Sequence, residues 1–272
     1  MLEKVRTVLI HNSHPGNIGA AARALKNMGL TQLTLVSPKE FPSSEAEARA
    51  AHAVDILNNA SVFPTLKEAL GDCNLILGCS GRPRTFSLPM VTPREAALEI
   101  QQHLQYESTQ ENNDDNHGSQ VAILFGNEQS GLSNEDLETC HFQIQIPTNP
   151  NYPSLNLAAA VQIIAYELFL IADSLAHSTM NSPVDSSVTP SAIFSKNYVN
   201  QPTPSPLPNY ETLDEFYQAL EQTLIDLQFL DPRQPGYLMV RLKRLFARAK
   251  IDKVEVTILR GMIAAIQKLL HK

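Results

Sequence analysis

An α/β fold built on a parallel sheet, with a small all-helical extension after it, is predicted by three observations. Short β-branched apolar runs alternate with longer amphipathic or alanine-rich segments from residue 4 to about 172. The apolar runs are near-continuous, as in strands buried on both faces of a sheet. A Ser-, Pro- and Asn-rich tract over 174–208 then separates this region from three helical patterns. The expected domains are therefore 1–173, a linker over 174–208, and a helical extension over 209–272.

The expected strands are VRTVLIH (5–11), LTLV (33–36), LILGC (75–79), VAILF (121–125) and FQIQI (142–146). Helices are expected at about 17–28, 44–53, 65–70, 93–104, 133–139 and 154–173. In the first, Asn17 is placed to cap free amides, Ile18, Ala21, Ala22, Leu25 and Met28 recur at helical spacing, and Gly29 supplies a left-handed stop. Ser133 and Asp136 form a capping box for a later helix. Residues 106–119 carry no apolar side chain after Tyr106 and read as a solvated loop. Beyond the linker, YETLDEFYQALEQTLIDL, GYLMVRLKRLFARAK and VEVTILRGMIAAIQKLL each carry an apolar stripe, suited to a small bundle or a tail packed on a partner.

Composition narrows the class. The 272 residues can bury a core without covalent staples, and Cys73, Cys79 and Cys140 form no CxxC pair, so neither a disulfide framework nor a zinc site is expected. No HxxxH spacing joins His11, His14, His52 and His141, which read as loop or surface residues, and no metal is expected. The N-terminal apolar run is too short for a signal peptide, and Asn156, Gln162 and Glu167 interrupt the longest apolar stretch, so a cytoplasmic protein with no membrane partner is expected. A net charge of −7 argues against a uniformly basic surface, but Arg241, Lys243, Arg244, Arg248, Lys250 and Lys253 leave room for a local basic face.

Three stretches could carry chemistry. HNSHPGNIGAAAR (11–23) follows a strand and opens a helix but lacks the GxGxxG fingerprint and its acidic partner, so pattern alone favours an ordinary strand-to-helix turn. LFGNEQSGLSNEDL sets Glu128 between Gly126 and Gly131 at the carboxyl end of a buried strand, the edge where α/β sheets bind ligands. IPTNPNYPSLNLAAAV leads into a helix beginning at Ser154 or Asn156, whose free amides suit either a simple cap or an anion.

In order and spacing, N-x-x-A-x-x-R (Asn17 to Arg23), F-G-N-E-x-x-G-L (Phe125 to Leu132) and I-P-x-x-x-x-Y-x-S-L-N-L-A (Ile146 to Ala158) resemble the three motifs of the SpoU branch of the SPOUT RNA methyltransferases. The resemblance covers about 1–172, and the helical tail is similar to that of the subgroup that methylates the ribose 2′-oxygen at position thirty-two of the tRNA anticodon loop. It implies a trefoil knot near the end of the α/β domain, which connection rules alone would exclude. It implies S-adenosylmethionine as cofactor, held by Cys79, Ser80 and Gly81, by Gly126, and by Ile146, Pro153, Ser154 and Leu155. It assigns the central catalytic role to Arg23, with Asn17 orienting Arg23 or the RNA, Glu128 fixing its loop and Arg23, and Asn156 facing the reacting ribose.

A guanidinium has no acceptor and a pKa above about 12, so gripping a phosphate and stabilising the developing alkoxide suits Arg23 better than acting as a base. Arg82, Arg84, Arg241 and Arg244 join Arg23 as expected contacts to RNA. Gln129 and Pro153 depart from the subgroup, where arginine and serine are common. The resemblance implies a homodimer, and the resemblance of the tail to that subgroup implies tRNA as the partner. A SpoU enzyme for ribosomal RNA or another tRNA position, and a non-catalytic RNA-binding protein, are the alternatives.

Overall fold

The computed structural model describes residues 1–81, 88–108, 120–180 and 206–270. Among them, seven strands form one parallel sheet: β1 (Val5–Ile10), β2 (Gln32–Val36), β3 (Ser61–Phe63), β4 (Cys73–Cys79), β5 (Met90–Val91), β6 (Gln120–Phe125) and β7 (Phe142–Ile144). Their spatial order is β3-β2-β1-β6-β4-β7-β5. The expected α/β class with a parallel sheet and trailing helices is what forms.

The alternation of side chains along the strands builds two cores. Val5, Leu9, Val121, Ile123 and Phe125 face a layer made by α1 (Pro15–Asn27), α2 (Ser44–Ala50), α3 (Val54–Asn58), α5 (Pro93–Ser108) and α7 (Leu157–Met180). Val8, Ile10, Ala122 and Leu124 face the opposite layer, which holds α4 (Leu66–Leu70) and α6 (Asn134–Glu138). The stretch Leu157–Leu175 has the length and composition of a membrane span, yet α7 lies against α1 and α5 and buries Val161, Ile164, Leu168 and Ile171. It continues past residue 173 to Met180, into the tract expected to be linker.

Local expectations change at three places, the first being helix α5, which runs on to Ser108 and so into the 106–119 stretch expected as a loop, the rest of which lies outside the described residues. Helix α1 begins at Pro15, two residues earlier than expected, and its cap is His14, whose Nδ1 accepts from the Gly16 amide at 3.2 Å. Proline fits the first helical position because its φ is already helical and its missing N–H would have no partner there. Asn17 consequently lies inside the first turn and does not cap it. His141 is buried, not at the surface: its Nδ1 accepts from the Ile76 amide at 3.1 Å, and burial pushes its pKa down to about 4. Gly29, at φ 70°, does close α1, and the Ser133–Asp136 capping box does open α6.

Helix α1 sits close on α2 because Gly19 has no side chain. A Cβ there would lie 2.0 Å from the Ala46 carbonyl oxygen and 3.0 Å from the Ala50 amide nitrogen. Gly19→Ala should therefore cost about 3 kcal/mol, at the upper end for overpacking, because backbone must move. Urea unfolding measures this, and a loss under about 0.5 kcal/mol would show that the two helices separate freely.

The extension consists of α8 (Tyr210–Asp226), α9 (Leu238–Ala249) and α10 (Lys253–Leu270), packed around Phe216, Val256 and Ile263, with the Phe246 ring edge-on to Phe216 at 5.3 Å. It docks on the α/β domain through Lys67–Asp214 (2.5 Å) and Lys250–Glu99 (3.0 Å), and Lys250 lies 4.9 Å from the centre of the Phe142 ring.

Candidate active site

Parallel pairing places the carboxyl ends of four strands in a row, since Phe125 is level with Leu9 on one side and with Cys79 on the other, and Cys79 with Ile144. The loops that follow β1, β6, β4 and β7 therefore emerge side by side at the ligand-binding edge of the sheet. The loops after β1, β6 and β7 hold the three sequence stretches, and the loop after β4 begins with Ser80 and Gly81.

Between the last three lies a cleft of about 360 Å³. Cys79, Ser80, Gly81, Gly126, Ile146, Pro153, Ser154 and Leu155 all line it. The eight residues that the resemblance nominates for a cofactor thus meet in one place. Its size is that of a small-molecule site. Phe125, Ile146 and Leu157 supply apolar wall, Thr148 and Ser154 supply hydroxyls, and glycine leaves bare backbone. Burial pushes the Cys79 thiol up to about 12, so Cys79 forms wall and is no thiolate nucleophile.

At the rim, the stretches are joined by hydrogen bonds. The Ser13 amide and hydroxyl both donate to Glu128 Oε2, at 3.0 and 2.8 Å, and Asn17 Nδ2 donates to Glu128 Oε1 at 3.0 Å. Asn156 Nδ2 donates to Asn17 Oδ1 at 3.2 Å, while Asn156 Oδ1 accepts from the Ala158 and Ala159 amides and caps α7. A further stitch runs from Asn127 Nδ2 to the His11 carbonyl at 2.6 Å.

Burial alone would raise the Glu128 carboxyl. The bonds from the Ser13 amide, Asn17, its own amide and the Ser13 hydroxyl outweigh it and hold the pKa at about 2. A folded-state pKa below the ordinary 4.5 means that these bonds stabilise the protein above pH 4.5, and that the contribution is lost as pH falls from 4.5 through about 2. The Glu128 carboxyl carbon should accordingly titrate near 2 by NMR, and in Asn17→Ala its midpoint should rise. An unmoved midpoint would remove Asn17 from the explanation.

Arg23 is not part of this network. It lies on the exposed side of α1, six residues and about 9 Å along the axis from Asn17, and among the described residues it has no hydrogen-bond or ion-pair partner. The expected contact between Glu128 and Arg23 does not form: Arg23 is on the exposed side of α1, and the carboxylate is held by Ser13 and Asn17 instead. Arg241 is exposed and Arg244 half-buried on α9, away from the cleft lining. Arg82 and Arg84 lie outside the described residues. Sequence reasoning passed over Ser13 and Asn127. The available signal was a polar side chain one or two positions beyond a buried strand, at the edge where ligands bind.

Comparison with known proteins identifies the family. Residues 4–166 match the SpoU rRNA Methylase family, and residues 211–272 match the tRNA methyltransferase TrmJ C-terminal domain. A tRNA (cytidine/uridine/adenosine-2′-O-)-methyltransferase TrmJ of Pseudomonas aeruginosa (strain UCBPP-PA14) is 43% identical over 98% of this chain and 95% of its own. The tRNA (cytidine/uridine-2′-O-)-methyltransferase TrmJ of Cronobacter sakazakii (strain ATCC BAA-894) is 43% identical over 98% of this chain and 97% of its own. The crystal structure of TrmJ from Z. mobilis ZM4 superposes with a TM-score of 0.73 at 29% identity, covering 96% of this chain and 98% of that one.

Proposed function

Because this chain belongs to the SpoU rRNA Methylase family and ends in a TrmJ-type C-terminal domain, we propose that it is a tRNA 2′-O-methyltransferase that uses S-adenosylmethionine. The observation that carries the cofactor assignment is the single cleft in which all eight nominated residues meet. S-adenosylmethionine supplies an electrophilic methyl group on a sulfonium centre when bound. Gly81 leaves backbone open to a flat ring, Gly126 lets its own turn close tightly beside the cleft, the apolar wall suits an adenine, and the hydroxyls of Thr148 and Ser154 suit a ribose or a carboxylate.

The residues at the rim define what the protein does for the reaction. Glu128, held near 2 with both oxygens occupied, is too weak a base to take a ribose proton at neutral pH. Asn156 and Asn17 likewise have their oxygens engaged. We therefore assign these three to orientation, and Arg23 to gripping phosphate and stabilising the negative charge that develops on the 2′-oxygen as its proton passes to solvent water. Much of the acceleration comes from aligning hydroxyl and methyl group in line.

The substrate is assigned as tRNA rather than ribosomal RNA on the strength of the C-terminal domain, and its target as the pyrimidine ribose at position thirty-two that the resemblance implies. Arg241, Lys243, Arg244 and Arg248 on α9 offer phosphate contacts in an otherwise acidic chain, and Arg82 and Arg84 belong to the same proposal. The two Watson–Crick edges of cytidine and uridine differ, so an enzyme accepting both grips ribose and backbone instead of reading the base. Tyr152 and Leu155 just before α7, and Tyr166 and Phe169 near its middle, are exposed and support a homodimer in which a second copy covers them. The knot, a cytoplasmic place of action and the division into an α/β domain, a linker and a helical extension from 209 are part of the same proposal.

Incubation with labelled S-adenosylmethionine and unmodified total tRNA and ribosomal RNA, followed by nucleoside mapping, tests it. A 2′-O-methylated pyrimidine in the tRNA anticodon loop is expected. Label in ribosomal RNA alone would move the assignment to the other SpoU substrates, and no transfer with no cofactor binding would end it.

A further inference from the structure

We propose that Ser13 is a positioning residue for the methyl-transfer step, setting through Glu128 the direction of the hydrogen-bonded chain that runs to Asn17 and Asn156. The inference rests on the function proposed above. An ionised carboxylate can only accept. Asn17 must therefore turn its Nδ2 toward Glu128, which leaves its Oδ1 to receive Asn156 Nδ2, which in turn leaves Asn156 Oδ1 to cap the first amides of α7. One choice at Glu128 fixes two amide orientations and the head of a helix.

Ser13 anchors the start of this chain by placing two donors on Glu128 Oε2, so the carboxylate can neither rotate nor exchange partners without losing both. The backbone is shaped for the contact: His11, at φ 52°, turns the chain immediately after β1 and directs the following residues toward the β6 loop. The cofactor side of that loop has separate support. Its turn is closed by the Gly131 amide on the Asn127 carbonyl at 2.8 Å and tied down by Asn127 Nδ2 on the His11 carbonyl at 2.6 Å, and neither bond uses the Ser13 or Glu128 side chain. Glu128 also lines the cleft, but when the Ser13 hydroxyl is lost its loop keeps these two bonds and the backbone amide at position 13, so the loss should fall on the substrate side of the site more than on the cleft.

The test compares Ser13→Ala, Ser13→Thr, Glu128→Gln and the Ser13→Ala/Glu128→Gln double variant of the full chain, using S-adenosylmethionine and unmodified tRNA. Ser13→Ala should lower kcat about tenfold, the loss expected when one hydrogen bond to a charged group is removed, with cofactor Kd within about twofold of wild type by calorimetry. Ser13→Thr, which keeps the hydroxyl, should recover most of the rate. Glu128→Gln, whose amide can flip and reverse the chain, should be at least as slow as Ser13→Ala. The double variant should be no slower than Glu128→Gln alone, since the two act through one another. Wild-type kcat in Ser13→Ala, equal impairment of the Ala and Thr variants, or a fall in cofactor affinity and thermal stability that parallels kcat would each overturn the proposal. A wild-type protein that methylates no RNA would fail before any variant is compared, and would remove the proposed function and this inference together.

Discussion

Arg23→Ala is expected to reduce methyl transfer by about 10²–10³-fold, the usual cost of removing one donor aimed at developing negative charge, while leaving folding and cofactor binding intact. The second half of that expectation follows from the structure. Arg23 is exposed on α1, has no polar partner among the described residues, and does not line the cleft. Truncating it opens no cavity and orphans no buried group, so the cost should appear in catalysis alone. Single-turnover rates with saturating tRNA and cofactor measure it. Arg23→Lys should remain well below wild type, because an ammonium cannot grip a phosphate through two parallel N–H groups. Undiminished turnover in Arg23→Ala would transfer the charge-stabilising role to another group while leaving the family unaffected.

Gly126→Ala should be the most damaging single methyl group in the cleft. A Cβ at Gly126 would stand 2.1 Å from the Gly131 carbonyl carbon, 2.2 Å from the Leu132 amide nitrogen and 2.3 Å from the Gly131 oxygen, all of them backbone. No side chain can swing away to relieve this, so the turn must open and the cleft wall with it. A cost of about 3 kcal/mol or more is expected, seen as cofactor binding weakened about a hundredfold or as a matching loss of stability. Gly131→Ala is the control within the same turn. Nothing lies within 4 Å of its added carbon, and only the φ of 70° is unfavourable, a penalty of about 1–2 kcal/mol. If calorimetry and urea unfolding rank the two variants the other way, the close approach of the two glycine segments is not what shapes the cleft.

What could be read from the residues depended on how far apart the interacting partners lie. Strands β1, β4 and β6 announce themselves because burial on both faces demands unbroken apolar runs. Strand β3, with two of its three residues exposed, and β5, only two residues long, lie at the two edges of the sheet and carry no such run. The start of α1 was misplaced because Asn17 has the chemistry of a cap, while the proline two residues earlier decides where the helix begins. The cleft lining was accessible through motif resemblance, since glycines and small residues at strand ends recur in recognisable order. Ser13 was not, because a serine beside His-Pro-Gly reads as a turn residue and its partner lies 115 positions away. His141 reads as a surface histidine until the sheet is assembled and the Ile76 amide is brought against it.

The strand order also has a consequence for how the protein is made. The central pairing joins Val5 to Val121, so β1 must wait for β6 to be synthesised before it has its second neighbour. At ribosomal speeds of about 5–20 residues per second, the interval between β2 and β6 lasts roughly 4–18 seconds, during which β1 can pair only with β2. The site is later still, because Asn156 and the head of α7 follow β6. Nascent chains should therefore pass through a stage with an open apolar sheet edge, the kind of surface that chaperones protect. Competence to bind cofactor should then appear abruptly, once residues near 160 have left the exit tunnel, rather than build up along the chain.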